Sequence, residues 1–234
     1  MRPMGFEQIG EQRGNHWPDS TVAGNPLGHR WVACQHEAVE DCVLTDGTVW
    51  LSRPAEADVD AIVACCRQPS IPEWTTVPVP YRRADAVGFL TDIVAPGWAA
   101  RSPVWAVRTA ADGPVAGMVG LDAGPQAGAA EIGFWLSDAV RGRGLMTRSV
   151  RLVCDFGFAA GGLGLTRIEW RAFVGNLASA AVVRRTGFHY EGLLRGAGVQ
   201  RGVRRDSWVA GRLACDPPEL ATDWPALRGA GPAR

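Results

Sequence analysis

The sequence predicts a mixed α/β domain, and three observations support this fold class. Segments with the two-residue period of strands and the 3.6-residue period of helices follow each other in the order β-α-α-β-β-β-α-β-α-β-β. Near the middle of the chain, a strand, a short glycine-containing turn and a helix occupy residues 131–160. The chain has 234 residues, of which 47% are hydrophobic and 21% charged, so it can bury a full core.

The first predicted elements are one strand and two helices. Residues 49–53 form a short strand candidate. A helix follows over residues 54–67, because a proline and an acidic residue in the first turn favour a helix N-terminus. A second helix is predicted over residues 84–94, and Pro96-Gly97 ends it.

Three strands come next, at residues 104–108, 115–121 and 131–136. The dipeptide Asp112-Gly113 lies between the first two and is typical of the turn in a hairpin. We therefore expect those two strands to pair directly.

Helices and strands alternate in the second half. Apolar residues recur at helical spacing over 145–160, which predicts an amphipathic helix that Gly161-Gly162 ends. Charged and apolar residues alternate over 167–174, as they do in a strand. A helix over 177–186 is closed by Gly187, a residue type common at helix C-termini.

Two last strands are predicted at residues 189–194 and 207–213, on either side of a connection rich in Gly and Arg. We divide the chain into an irregular extension at 1–46, one domain at 47–214 and a C-terminal tail at 215–234, whose last residues we expect to be frayed.

Composition argues against two classes of partner. The 24 basic and 24 acidic side chains give a net charge of zero, so no general attraction to nucleic acid or to an anionic membrane is expected. The longest apolar runs, such as residues 115–121, are far shorter than the roughly 20 residues that span a bilayer. No apolar segment follows Arg2 in the manner of a secretory signal, so we expect a cytoplasmic protein.

Six cysteines are present, and reduced thiols are the better interpretation, because adjacent Cys65 and Cys66 cannot easily bridge each other. Metal binding is the alternative use of some of them. Four side chains of zinc-ligand type lie within a short span: His29, Cys34, His36 and Cys42. Their spacing matches no common zinc module, so we predict no metal site and keep zinc as the weaker alternative.

The turn before the central helix has the features of an anion site. Arg141-Gly142-Arg143-Gly144 enters a helix whose first N–H groups lack partners within the helix and lie at the positive end of its dipole. Gly142 and Gly144 let the backbone approach a ligand without a Cβ in the way. A pyrophosphate is the ligand that such a turn suits, and a plain loop-to-helix junction is the alternative.

Further motifs accompany this turn in a fixed order. The four segments are Glu131-Ile132-Gly133-Phe134-Trp135-Leu136, Arg141-Gly142-Arg143-Gly144-Leu145-Met146-Thr147, Asn176-Leu177-Ala178-Ser179 and Gly187-Phe188-His189-Tyr190-Glu191-Gly192. This set closely resembles the RimJ/RimL-type branch of the GNAT N-acetyltransferase superfamily, over roughly residues 48–213. Arg141 and Gly144 match the superfamily pattern Arg/Gln-x-x-Gly-x-Gly/Ala, whereas Met146 departs from it in a way that this branch commonly shows.

The resemblance implies a GNAT fold, with a central mixed sheet of about seven strands and about four flanking helices. Two parallel central strands, ending near Leu136 and Val174, would splay apart and hold acetyl-CoA as the co-substrate. Asn176 also fits a helix N-cap, and Arg185 also fits an exposed helix residue. The residues that match the family's cofactor contacts are Phe134, Trp135, Leu136, Arg141, Gly142, Arg143, Gly144, Leu145, Met146, Thr147, Asn176, Ser179 and Arg185.

The same resemblance implies three candidate catalytic residues. Glu131 is the first candidate for the general base and Glu169 the second, although an ion pair with a neighbouring arginine explains Glu169 at least as well. Ser179 matches a residue proposed to protonate the leaving thiolate, and a hydrogen bond to a backbone carbonyl is the alternative role. Many GNAT enzymes carry Tyr where this chain has Val183, so their commonest acid is missing.

The implied activity is transfer of an acetyl group to a primary amine by direct attack in a ternary complex, with a backbone N–H near Trp135 or Leu136 stabilising the oxyanion. A protein N-terminus and a small-molecule amine both stay open as acceptor, as do monomer and homodimer. A non-catalytic acyl-CoA-binding or regulatory module of the same fold is the alternative function. Aromatic residues that suit an acceptor pocket, and suit the core equally well, are Trp74, Tyr81, Trp98 and Trp105.

Overall fold

The structure, a computed structural model, describes residues 42–227 and places an eight-stranded mixed sheet at their centre. The strands are β1 (Leu44–Thr45), β2 (Trp50–Ser52), β3 (Val104–Arg108), β4 (Gly117–Ala123), β5 (Ala129–Leu136), β6 (Arg167–Phe173), β7 (His189–Gln200) and β8 (Val203–Leu213). They lie side by side in the order β1-β2-β3-β4-β5-β6-β8-β7. The predicted α/β class with a central mixed sheet is therefore confirmed.

Several predictions fall outside the described residues. These are most of the extension at 1–46, with the zinc-type side chains His29, Cys34 and His36, and the end of the tail from residue 228 onward. At the N-terminal edge of the described part, the sheet begins earlier than predicted, since β1 pairs with β2 in antiparallel orientation. Eight strands thus replace the predicted seven, because a two-residue strand is too short to show a period in the sequence.

β5 and β6 form a parallel pair, and they stay paired for only part of their length. The pairing ends where Glu131 lies opposite Glu169. Beyond this point β5 continues to Leu136 and β6 to Phe173, and each remains paired with its other neighbour, β4 and β8 respectively. The predicted splay between two parallel central strands is confirmed.

The helices number six α-helices in the described part rather than about four. The helix predicted over 84–94 is an α-helix, Arg83–Gly88, that continues as a π-helical segment, Phe89–Val94, and a further α-helix, Ala95–Ala99, extends it past Pro96. Pro96 lies in the first turn of the last piece, where its missing N–H costs little, and so it does not end the helix. The α-helices are α1 (Val59–Cys66), α2 (Ser70–Trp74), α3 (Arg83–Gly88), α4 (Ala95–Ala99), α5 (Leu145–Phe158) and α6 (Leu177–Arg184).

α5 is amphipathic, as predicted, and its apolar face is buried against the sheet. A Cβ added at Gly157 would lie 3.0 Å from Ile168 Cδ1 and 3.2 Å from Leu121 Cδ1, so glycine lets the helix approach β4 and β6 closely. Within residues 42–227, every helix falls short of the length and apolar character that crossing a bilayer requires.

β7 and β8 form a long hairpin that extends well beyond the two predicted strands. The strands meet at Arg201-Gly202, where both residues have positive φ. The ladder is irregular between Leu194 and Gly198, within the region that the sequence predicted as a loop. Glycine and arginine residues in this stretch hide the two-residue alternation of apolar and polar side chains that marks a strand. The stretch is a strand because it pairs with the neighbouring one.

The segment after β8 packs onto the domain as far as the structure describes it. Trp224 is 8% exposed, and its indole Nε1 donates a hydrogen bond to the Phe188 carbonyl at 2.6 Å. Ala221 is also buried, and its N–H donates to the Arg184 carbonyl at 3.0 Å. Part of the predicted tail at 215–234 is therefore an ordered part of the core.

Candidate functional site

A cavity of about 510 Å³ opens where β5 and β6 part. The end of β5, the N-termini of α5 and α6, and α2 form its walls. The structure brings all the predicted cofactor-binding residues except Arg143 to this cavity. Those that line it are Phe134, Trp135, Leu136, Arg141, Gly142, Gly144, Leu145, Met146, Thr147, Asn176, Ser179 and Arg185.

Along β5, the backbone N–H and C=O groups of successive residues face alternately towards β4 and towards the side of β6. Ser137 N donates to Ala116 O at 2.8 Å, one register step beyond the end of the β4–β5 ladder. Hydrogen-bonded pairs alternate in an antiparallel ladder, so the polar backbone groups of Trp135 also face β4, and those of Phe134 and Leu136 face the splay. Of the two predicted oxyanion donors, Leu136 is therefore the one whose N–H faces the gap, and Trp135 contributes its side chain rather than its backbone to the cavity.

The turn before α5 presents backbone rather than side chains to the cavity. Gly142 and Gly144 have φ angles of 76° and 74°, in the left-handed region that favours glycine. A Cβ built at either position meets no atom within 4 Å, so backbone conformation requires glycine here and the adjoining space is open. Gly144 is the N-cap of α5 and has no side chain to satisfy the first N–H groups, which suits an anion.

The three arginines of the prediction have different places. Arg141 lines the cavity, donates from Nε to the Leu136 carbonyl at 2.9 Å and forms an ion pair with Asp138 at 2.8 Å. These bonds fix the guanidinium beside the turn. Arg185 also lines the cavity, whereas Arg143 is exposed and lies outside the lining.

Asn176 and Ser179 meet at the start of α6. Asn176 Oδ1 accepts a hydrogen bond from Ser179 N at 3.2 Å, so Asn176 is the N-cap of the helix as well as a cavity residue. Ser179 Oγ accepts from the indole Nε1 of Trp170 at 3.0 Å, in place of the predicted alternative contact with a backbone carbonyl. Val183, which stands where many GNAT enzymes carry Tyr, is fully buried.

Glu131 lies on the last paired register position before the strands part. Burial raises its pKa to about 7, and the neighbouring carboxylates Glu169 and Asp122 act in the same direction, while Arg171 opposes them. Asp122 lies directly opposite Glu131 on β4, and burial raises the pKa of Asp122 to about 6. Because 46% of the Glu131 side chain is exposed, water moderates the effect of burial.

Glu169 is bound on both carboxylate oxygens. Arg171 Nε lies 2.6 Å from one oxygen and Arg167 Nη2 lies 3.2 Å from the other. This arrangement is the ion pair that the sequence offered as the alternative to a catalytic role. Neither Glu131 nor Glu169 is among the residues that line the cavity, so a proton would reach them through water or across the open face of the sheet.

Residues of α2 are the part of the site that the sequence left largely unassigned. The cavity lining includes Ser70, Ile71, Trp74 and Thr75. Trp74 is the one residue of the four predicted acceptor-side aromatics that belongs to this lining in the described chain. Trp105, Trp98 and Tyr81 are core residues, 0%, 3% and 6% exposed. A five-residue helix shows no period that would mark its inner face, so only its neighbours assign these side chains to the cavity.

No group of three or more His, Cys, Asp or Glu side chains within residues 42–227 is arranged to hold a metal ion. Cys42, the one member of the zinc-type set that is described, is 4% exposed.

The site is a groove beside two parted strands, and it ends at a helix N-terminus preceded by glycines. Proteins with such a groove are suited to bind an extended ligand that has an anionic end. Residues 48–189 match the sequence model of the family described as an acetyltransferase (GNAT) domain. The chain therefore belongs to the GNAT acetyltransferase family.

Two relatives from Bacillus subtilis strain 168 share part of this sequence. YjcK, named as a probable N-acetyltransferase, is 41% identical over 85 residues, which are 36% of this chain and 46% of that protein. YdaF, named as a candidate ribosomal N-acetyltransferase, is 35% identical over 96 residues, which are 41% of this chain and 51% of that protein. The chain thus spans about half the length of the curated relatives it matches.

Solved acetyltransferase structures, RimL among them, share the fold. The microcin C7 self-immunity acetyltransferase MccE, in complex with acetyl-CoA and AMP, superposes with a TM-score of 0.64 at 21% identity, covering 72% of this chain and 93% of that one. The ribosomal L7/L12 alpha-N-protein acetyltransferase RimL, in complex with CoA, superposes with a TM-score of 0.62 at 23% identity, covering 71% and 94%. The predicted RimJ/RimL-type resemblance is thereby confirmed at the level of the fold.

Proposed function

We propose that this chain is an acetyl-CoA-dependent N-acetyltransferase that moves an acetyl group to a primary amine by direct attack in a ternary complex. One observation supports this most strongly: beyond the point where the β5–β6 pairing ends, a cavity runs from the end of β5 at Phe134 to the N-terminus of α5. Membership of the GNAT family and the names of the relatives agree with it.

The residues of the cavity fit acetyl-CoA at both ends of the molecule. The edge of β5 offers the backbone N–H and C=O of Phe134 to the amides of the pantetheine arm, much as a neighbouring strand would, and leaves the N–H of Leu136 for the thioester end. The N–H groups that follow Gly142 and Gly144 suit the pyrophosphate, with Arg141 adding a positive charge beside them. Asn176 and Arg185 would approach the ligand from α6.

The proposed chemistry assigns one task to each group. The amine attacks the thioester carbon, and the N–H of Leu136 stabilises the oxyanion that forms. Glu131 takes the proton that the amine loses, directly or through water, and its raised pKa suits a base that works near neutral pH. Ser179 supplies a proton to the departing sulfur. Glu169, held by two arginines, is the second candidate for the base.

The acceptor is an amine that enters beside α2. A protein N-terminus is one candidate, because YdaF and RimL are named as ribosomal-protein acetyltransferases. A small-molecule amine is the other. Trp74 lines the cavity on the α2 side and would contact either of them.

Two measurements on the full chain test the proposal. Calorimetry with acetyl-CoA and with CoA should show stoichiometric binding, and a thiol-release assay with a panel of N-terminal peptides and small amines should show acceptor-dependent turnover. Absence of CoA binding would overturn the proposal. Binding without thiol release above the rate of hydrolysis, for every amine tried, would favour the alternative of a non-catalytic acyl-CoA-binding module.

A further inference from the structure

Trp170 lies in β6 beneath the start of α6, and it is 1% exposed. Its indole Nε1 lies 3.0 Å from Ser179 Oγ. A buried N–H without a partner costs about 1–3 kcal/mol, so a buried indole has to find an acceptor. The hydroxyl of Ser179 is that acceptor, and the same hydroxyl lines the cavity.

The chemistry of the two groups fixes the direction of this bond. An indole N–H can only donate, so Ser179 Oγ must be the acceptor, and the hydroxyl hydrogen is directed to another partner. Among the hydrogen bonds of residues 42–227, Ser179 Oγ takes part in the one from Trp170. Its hydrogen is therefore available to a group bound in the cavity.

We propose that Trp170 is a positioning residue for proton transfer to the leaving thiolate, an inference that rests on the proposed function. The indole N–H holds Ser179 Oγ so that the hydroxyl hydrogen points at the sulfur of acetyl-CoA. It also stabilises the negative charge that develops on Oγ as the proton leaves.

The proton transfer accompanies the breakdown of the tetrahedral adduct. The tetrahedral adduct collapses, the C–S bond breaks, and its electron pair goes to sulfur. The proton of Ser179 Oγ passes to the sulfur to give the free thiol, and the proton that Glu131 took from the amine returns to Oγ through water. The oxyanion re-forms the carbonyl of the acetylated amine.

Packing, rather than the bond to Ser179 alone, holds the indole in place. The rings of Trp170 and Trp224 lie with their centroids 6.0 Å apart, so an aromatic contact persists when a phenyl ring replaces either indole. Replacing the indole by another aromatic ring should therefore remove the donor and leave the surrounding side chains largely in place.

Trp170→Phe tests the proposal because it removes the N–H and keeps an aromatic ring. We expect kcat to fall about tenfold, which corresponds to loss of one hydrogen bond in the transition state, while KM for acetyl-CoA and the calorimetric affinity for CoA stay unchanged. Trp224→Phe is the matched control, since it removes a buried indole N–H from the neighbouring ring without touching Ser179. That variant should keep the kcat of the wild type. All variants are assayed well below their unfolding midpoints, with near-ultraviolet circular dichroism as the check of packing.

A double-mutant cycle separates positioning from packing. In the Ser179→Ala background, Trp170→Phe should cause no further loss of kcat, because the group that it positions is gone. Additive losses would overturn the proposal, and so would a Trp170→Phe variant with the kcat of the wild type or a Trp224→Phe control that loses as much. In each of these cases acetyl transfer by the wild type still stands. A wild-type chain that transfers no acetyl group at all would instead overturn the proposed function, and the inference with it.

Discussion

Glu131 sits where paired strand gives way to open groove, and its ionisation is central to the proposed chemistry. A carboxylate on one neighbouring strand, Asp122, and another on the opposite side, Glu169, crowd it with like charge, while Arg171 at 3.8 Å offers partial relief. Burial is the main cause that raises the pKa of Glu131 to about 7, and the like charges act in the same direction. Such a group changes its charge in the range where the enzyme would work.

The substitution Glu131→Gln tests the base at this scale. In the wild type, kcat/KM should rise with pH as Glu131 loses its proton near pH 7, and the variant should lack this limb and lose about 100-fold in kcat at pH 8. An aromatic amine that titrates below pH 6 should serve as the acceptor, so that its own ionisation stays outside the range.

Asp122→Asn is the matched control for that experiment. It removes a neighbouring negative charge, which lowers the pKa of Glu131, so the limb should move to lower pH rather than vanish. A pH profile that is the same in wild type and Glu131→Gln would rule out Glu131 as the base.

Stability should change in the opposite sense to activity in Glu131→Gln. The pKa of Glu131 is raised in the folded chain, so its charged form opposes folding and this cost appears as pH rises through about 7. The variant should therefore equal the wild type at pH 4 and exceed its free energy of unfolding at pH 8, by about 1 kcal/mol after allowance for the exposure of the side chain. A loss of stability at pH 8 would show that the carboxylate is a structural group.

At the scale of elements, the turn between β5 and α5 is the proposed binding site of the cofactor's pyrophosphate. Gly142 and Gly144 adopt left-handed conformations with open space beside them. Packing within the protein does not fill this space, so a ligand can occupy it. The protein maintains this conformation with glycine because other residues would be strained there.

Gly142→Ala should weaken CoA binding about tenfold, because the added methyl group occupies the open space and strains the turn. Gly164→Ala is the control. Gly164 has a φ of 62° and equally open surroundings, but it lies in the turn after α5 and outside the cavity lining, so the same strain should leave CoA affinity unchanged. Calorimetry on both variants checks this, and equal affinity losses in the two would contradict a phosphate-binding turn.

At the scale of the whole molecule, the segment after β8 completes the core. Trp224 packs on Tyr190 and Trp170, with ring centroids 5.6 Å and 6.0 Å away, and so covers the aromatic cluster beneath α6. Gly187 makes room for the segment, since a Cβ there would lie 2.3 Å from the Pro217 carbonyl oxygen.

Trp224→Ala should lower the free energy of unfolding by about 3 kcal/mol, through lost burial and the cavity that remains. Leu220→Ala, at a side chain that is 53% exposed, should change it by less than about 0.5 kcal/mol. Urea unfolding of both variants measures the difference. Equal values would show that the segment does not contribute to the core.

Local sequence accounts for much of the fold and the outline of the site. The central helix, the strand before it and the glycine turn between them follow from period and residue type alone, and the structure has them close to the predicted bounds. Asn176 was also expected as an N-cap, because its amide can meet an N–H two or three residues later.

Contacts between distant segments explain what the sequence did not predict. β1 exists because β2 pairs with it, and α2 lines the cavity because its neighbours place it there. The core positions of Trp98 and Trp105 could not be told from acceptor-side positions, since a tryptophan suits either environment.

The sequence by itself determined which segments are helix and strand over most of the domain and that Gly142 and Gly144 lie in the turn before a helix, because period and backbone preference are local properties. The tertiary structure alone decided that β5 and β6 part after Glu131, that Leu136 rather than Trp135 faces the gap, and that Trp170 meets Ser179. Those facts depend on the register and on contacts between residues far apart in the chain, which no local pattern encodes.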